Sequence, residues 1–255
     1  MKNKKIILLG GKGQSTNAVF NVLNKEYDVI PIIEEKESLI VFLKRRIKRL
    51  GIITVVGQII FQLVVPKLLT HFSKKRSEEI IKNNKINFSP IPSESINKVS
   101  SVNAQSTIEF IKKINPDLII VNGTRIISKK VLQSANCKFI NTHVGITPMY
   151  RGVHGTYWAL VNNDPENSGV TVHFVDEGID TGNIIMQKQV NITSEDNFST
   201  YPLLQLSFGI KILVEAVENY FSENIAVLTK EGDSKLYYHP TIWEYLYYRI
   251  ARRVK

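Results

Sequence analysis

The sequence predicts an α/β fold, a mostly parallel sheet flanked by helices. Three observations lead to it. An apolar run at 5–9 ends in a glycine-rich turn at 10–15, and a helix-like stretch at 16–24 and a second apolar run at 27–33 follow. Strand, glycine turn, helix, strand is how a βαβ unit begins. Further apolar runs at 117–121, 139–141, 169–175 and 183–190 have strand length and strand composition. Polar residues gather where these runs end, which is where open α/β sheets bind ligands.

The remaining elements fit between these strands. From 37 to about 83 the pattern is helical, with Ile40, Phe42, Leu43 and Ile47 spaced for one face. The stretch 88–101 is polar and carries Pro90 and Pro92, which predicts a linker or surface loop. Helices are expected at 104–114, 128–135, 153–162 and 202–221, and Pro116 marks the start of the 117–121 strand. A tyrosine-rich, basic tail occupies 222–255. The domain expectation is therefore a catalytic unit at 1–221, with a helical insertion at about 37–83, and a C-terminal extension at 222–255.

Composition narrows the class. With 43% hydrophobic and 22% charged residues, 255 positions suffice for a full soluble core. The single cysteine, Cys137, allows no internal disulfide and points to a reducing, cytoplasmic compartment. The net charge of +10 has two readings, a polyanionic partner or a solvated surface. Basic residues cluster at 2–5, 44–49, 74–76 and 249–255, but aromatics interleave with them only near the C-terminus, so nucleic acid is not the expected partner. The lysines before 6–9 and the glycines after it fit a buried first strand better than a secretory signal. The run 52–69 is broken by Gly57, Gln58, Gln62, Pro66 and Lys67, which argues against a membrane span. A buried or dimer-contact helix and, given the basic flank at 44–49, a membrane-surface helix over 44–69 both stay open.

The densest chemical signal lies between Phe139 and Gly182. Asn141 and His143 stand two apart at a strand exit, and alternate residues of an extended segment share a face. Both side chains are expected in one cleft. Asp180 precedes Thr181-Gly182, where glycine lets a loop turn back, and a carboxylate there can orient an imidazole or a water. Each has a plainer reading alone: Asn141 bonding a loop backbone, His143 as a structural histidine, Asp180 as a cap. The turn holding Gly11, Gly13, Gln14 and Ser15 is neither a Walker loop nor a full dinucleotide fingerprint. Ahead of a helix it suits an anion, and a ligand-free tight turn is the competing reading.

Taken together, Asn141-Thr142-His143, then Pro148 with Tyr150-Arg151-Gly152, then Gly169-Val170-Thr171, then Asp180-Thr181-Gly182 resembles the folate-dependent formyltransferase family, most of all its nucleotide-sugar (amino sugar) N-formyltransferases. The resemblance covers about 117–190 by motif and 5–116 by architecture. It departs at Val144-Gly145-Ile146-Thr147, where the family usually has Pro-Ser-Leu-Leu. It implies the formyltransferase fold, with a Rossmann-like sheet, and 10-formyltetrahydrofolate as cofactor. Asn141, His143 and Asp180 would occupy the catalytic positions: Asn141 and a protonated His143 stabilising an oxyanion, His143 relaying the proton, and Asp180 holding the imidazole or a bridging water. Arg125, Ile126 and Ile127 would flank the pterin on one side, and Asp176, Glu177, Gly178 and Ile179 on the other. Gly11, Gly13, Gln14, Ser15, Arg151 and His154 would face the amine substrate. No metal is implied, and the chain has no compact His/Cys cluster at zinc spacing.

The acceptor amine is expected from what surrounds this core. Methionyl-tRNA formyltransferases resemble it but add a sizeable C-terminal domain, whereas about 35 residues follow the 202–221 helix here. The purine-pathway enzyme lacks the 37–83 insertion and the tail. The expected substrate is thus the amine of a nucleotide-linked amino sugar of surface-polysaccharide biosynthesis, with methionyl-tRNA or another amine as the alternative. A second class is a non-catalytic, membrane-peripheral scaffold on the same fold.

Overall fold

The computed structural model describes residues 3–229 and 232–255. In chain order the elements are β1 (Lys5–Gly11), α1 (Gln14–Leu23), β2 (Asp28–Glu34), α2 (Leu39–Leu50), α3 (Ile52–Phe72), α4 (Lys74–Asn83), β3 (Asn97–Val99), α5 (Gln105–Ile114), β4 (Leu118–Asn122) and α6 (Lys129–Leu132). The chain continues through β5 (Phe139–His143), β6 (Arg151–Gly152), α7 (Gly155–Val161), β7 (Gly169–Phe174), β8 (Ile184–Gln189), α8 (Tyr201–Phe221), β9 (Leu236–Tyr237) and α9 (Ile242–Ala251).

Seven strands form one sheet in the order β3-β2-β1-β4-β5-β7-β8. The pairings from β3 through β5 are parallel, whereas β7 runs antiparallel to both β5 and β8. Alternation along β1 explains why a continuous apolar run is needed there. Ile6 and Leu8 enter one core cluster with residues of α1 and α8, while Ile7 and Leu9 enter a second with residues of α5 and α6. With both faces covered, the polar work falls to the strand ends. The exits of β1, β4 and β5 lie side by side, because β4 pairs with β1 and β5 pairs with β4.

Two stretches differ from the sequence expectation. The helical region at 37–83 is three helices, broken at Gly51, whose φ is 82°, and at Ser73. Glycine reaches that backbone conformation without a Cβ clash, so the periodic pattern stops there. The polar stretch 88–101 contributes an edge strand, β3, three residues long and too short to carry a periodicity.

The tail is packed rather than loose. β9 pairs with β6, aligning Leu236 with Arg151 and Tyr237 with Gly152. Tyr237 stacks on Tyr150 and Trp158, with ring centroids 5.4 and 5.3 Å away. Tyr245 of α9 joins Phe61 of α3, Tyr157 of α7 and Phe198 in a third core cluster. α9 starts with a capping box, in which the Thr241 side chain accepts from the Glu244 amide and Glu244 accepts from the Thr241 amide.

Candidate active site

Asn141 and His173 are cross-strand partners in the β5–β7 ladder, which places their side chains on the same face of the sheet. The His173 Nδ1–H donates to the Phe174 carbonyl at 2.7 Å. That leaves Nε2 as the acceptor, so the Asn141 amide NH2 faces it, at 3.1 Å. The sheet register therefore also fixes which way the Asn141 amide points.

Two residues on, His143 is 4% exposed. Its Nε2–H donates to the Tyr150 carbonyl at 2.7 Å. Its Nδ1 lies 3.3 Å from Asp180 Oδ2. Gly145 makes this fit possible: a Cβ there would stand 2.6 Å from His143 Nε2 and collide with the Tyr150 carbonyl. Burial holds the His143 pKa below the ordinary histidine value, with Asp180 and the Tyr150 carbonyl acting in the opposite direction.

Asp180 has a φ of 52°, at the tip of the 175–183 loop. Its Oδ2 accepts the Gly152 amide at 3.0 Å, and its Oδ1 lies 3.7 Å from His173 Nε2. Burial alone would raise its pKa. The neighbouring imidazoles of His173 and His143 and the Gly152 amide outweigh it and bring the carboxyl down to about 2. The site thus holds a permanent anion flanked by two imidazoles and one amide.

These side chains line a cavity of about 650 Å3. Gln14 and Ser15 of the glycine turn contribute to its wall, as do Arg125, Ile126, Ile127, Asp176, Gly178 and Ile179. Leu206, Ile210 and Leu213 of α8 supply apolar lining. Ile126 is 57% exposed, an apolar face available to a flat ring, whereas Ile127 is a core residue.

Several residues expected to contact ligands are engaged elsewhere. The Arg125 guanidinium donates to the carbonyls of Ser100 and Glu35, and its backbone amide to Glu34. It ties the β4 exit to the β2 exit. Arg151 donates to the Ile179 carbonyl at 3.0 Å and so braces the Asp180 loop. His154 does not line the cavity: it packs on Phe198 and shares a 2.9 Å hydrogen bond with His239 of the tail. Burial lowers their pKa values to about 3 and about 4. Glu177 pairs with Lys129 on the surface. Gly11 is a glycine because the Gly123 carbonyl occupies the place of its Cβ, and neither Gly11 nor Gly13 is part of the cavity wall. His173 was not among the expected site residues. Its only sequence signal is its place beside Phe174 at the end of the Gly-Val-Thr strand, and strand alternation explains a histidine there without chemistry.

The chain belongs to the formyl transferase family, whose model matches residues 62–217, more than half of its length. It is 30% identical over 136 residues to the methionyl-tRNA formyltransferase of Chlorobium chlorochromatii, a match covering 53% of this chain and 43% of that protein. The chain thus spans less than half the length of this curated relative. A sugar N-formyltransferase from a Shewanella species shares the fold, with a TM-score of 0.56 at 14% identity over 91% of this chain and 76% of its own. A formyltransferase from Anoxybacillus kamchatkensis, solved with UDP-4,6-dideoxy-4-formamido-L-AltNAc and tetrahydrofolate, aligns with a TM-score of 0.50 at 19% identity, over 91% of this chain and 85% of its own.

Proposed function

We propose that this protein transfers a formyl group from 10-formyltetrahydrofolate to the amine of a nucleotide-linked amino sugar. The observation that carries the reading is the convergence of Asn141, His143, His173 and Asp180 on one cavity. The lining suits the cofactor: an exposed Ile126, the apolar α8 residues and the backbone at 123–127 suit a flat ring with polar edges. Ile126, Gly178 and Ile179 are the residues assigned to hold it. When bound, 10-formyltetrahydrofolate supplies the activated one-carbon group.

The chain's own residues then have distinct tasks. Asn141, with one amide hydrogen held by His173, presents the other as a donor for an oxygen gaining negative charge, and a donor placed in this way is typically worth about 3 kcal/mol. His143 carries its proton on Nε2, fixed by the Tyr150 carbonyl, so its Nδ1 lone pair is the site that takes a proton from the attacking amine. The imidazolium so formed is held by Asp180 and is the acid that returns the proton to the departing nitrogen of the formyl donor, which balances the transfer. His173 holds the Asn141 amide, and Asp180, whose Oδ1 lies 3.7 Å from the His173 Nε2, is kept in place by the Gly152 amide.

The sugar acceptor is supported by the sugar N-formyltransferases among the solved structures that align with nine tenths of this chain. Methionyl-tRNA is the second reading, favoured by the name of the curated relative. A panel assay separates them. Wild-type protein, 10-formyltetrahydrofolate and either nucleotide-linked amino sugars or methionyl-tRNA are incubated, and the formylated amine is identified by mass. Formylation of a sugar supports the proposal, and formylation of methionyl-tRNA alone overturns it.

A further inference from the structure

Exposed apolar side chains gather on α3 and its neighbours, none of which lines the cavity. α3 is long and apolar enough to cross a membrane, yet only 28% of its most apolar 18-residue stretch is buried. An ordinary surface helix turns polar residues outward. α3 instead exposes Ile53, Val56, Ile60, Leu63, Val64 and Leu68. Its buried stripe, Val55, Gln58, Phe61 and Val65, seats it on the protein.

Two neighbours extend this face. In α2, Leu39, Ile40 and Val41 are exposed, and Arg46 reaches Gln58 of α3 at 2.9 Å. In α9, Trp243 packs on Gly57, where no Cβ would fit, and Trp243, Leu246, Tyr247 and Ile250 remain exposed.

The charge around this surface is predominantly basic. Between 39 and 75 the chain has basic residues at 44–46, 48, 49, 67, 74 and 75 and no Asp or Glu. Arg45 is paired with Glu37. Lys44, Lys48, Lys67, Lys74 and Lys75 have no acidic partner among the described residues. Arg249, Arg252 and Arg253 add to this charge at the α9 end.

We propose that the exposed faces of α2, α3 and α9 dock the protein peripherally on an anionic lipid bilayer, with their apolar side chains at the headgroup boundary and the lysines on the headgroups. An apolar helix face with a basic rim and interfacial Trp and Tyr is the arrangement that binds such surfaces. A second copy is the poorer occupant, because a symmetric dimer through this face would appose two cationic rims whose carboxylates, Glu37 and Glu244, are already engaged by Arg45 and Thr241. A transmembrane span is poorer still, because it would pull Phe61, Val65 and the hydrogen-bonded Gln58 out of the core.

The test is co-sedimentation of the full chain with vesicles of phosphatidylcholine, alone or mixed with phosphatidylglycerol. It reads binding and is independent of the formyl-transfer reading. Wild type is expected to pellet with the mixed vesicles, less so as salt rises, with a blue shift of Trp243 emission. Lys44→Glu with Lys48→Glu should weaken partitioning at least roughly tenfold, and so should Ile60→Ser with Leu63→Ser, each with the fold checked by circular dichroism. The proposal is overturned if wild type stays in the supernatant at low salt. It is also overturned if the apolar variant binds like wild type, or if the protein is a dimer that these substitutions dissociate while no vesicle binding occurs.

Discussion

Asp180 Oδ2 lies 3.3 Å from Nδ1 of His143 and 3.0 Å from the amide nitrogen of Gly152. The carboxylate is therefore held by the backbone of one segment while it acts on a histidine of another. In Asp180→Asn the Gly152 bond can persist, but the charge that favours the imidazolium is gone. Turnover is expected to fall by roughly two to four orders of magnitude with little loss of stability. Because Asp180 raises the His143 pKa, its removal should move the acid limb of kcat/KM to lower pH. An acid limb that stays in place would show that His143 does not titrate in the reaction.

Gly145→Ala tests the packing behind His143. The added methyl would press on both partners of the His143–Tyr150 hydrogen bond. A stability loss of about 1–3 kcal/mol, as for an overpacked core, is expected in urea denaturation. A loss of turnover should accompany it, because the bond that keeps the proton on Nε2 is displaced. A variant with wild-type stability and turnover would show that the loop relaxes freely.

The half-buried pair His154 and His239 predicts an acid lability that is separate from catalysis. Both are expected to titrate near 6.5 when unfolded, but at about 3 and about 4 when folded. Below about pH 6.5 the unfolded chain then binds more protons, so stability falls as pH drops towards 4. His154→Asn, which suits the positive φ of 58° at this position, should flatten that dependence by about one proton. Urea melts across this range give the slope directly, and an unchanged slope would place His154 outside the titrating set.

The capping box of α9 contributes to the hold of the tail on the core. Thr241→Ala removes the side chain that accepts from the Glu244 amide. A loss of about 1 kcal/mol is expected, measured by thermal or urea denaturation.

Much of the sheet was legible because its strands are short apolar runs bounded by glycine, proline or polar clusters. The observed β1, β4, β7 and α8 fall within a residue or two of their expected bounds. Asn141, His143 and Asp180 were legible as a set because they end strands or follow turns, where a polar residue is not needed for packing. His173 was hidden because a sheet position accounts for it. The positions of Arg125, Arg151 and His154 depend on contacts with residues distant in sequence, such as Glu35, Ile179 and His239, which no local pattern records. The Thr241-x-x-Glu244 signature of α9 is present in the sequence, within a tail for which no helix was expected.

The central claim is that the cluster around His143 carries formyl transfer. Its most direct test is single-turnover release of tetrahydrofolate from 10-formyltetrahydrofolate in the presence of the acceptor amine, comparing wild type with folded His143→Ala and Asn141→Ala proteins. Amine-dependent release by wild type, lost by roughly a hundredfold or more in each variant, is the predicted result. Equal release by wild type and variants, or none by wild type with any amine, would contradict it.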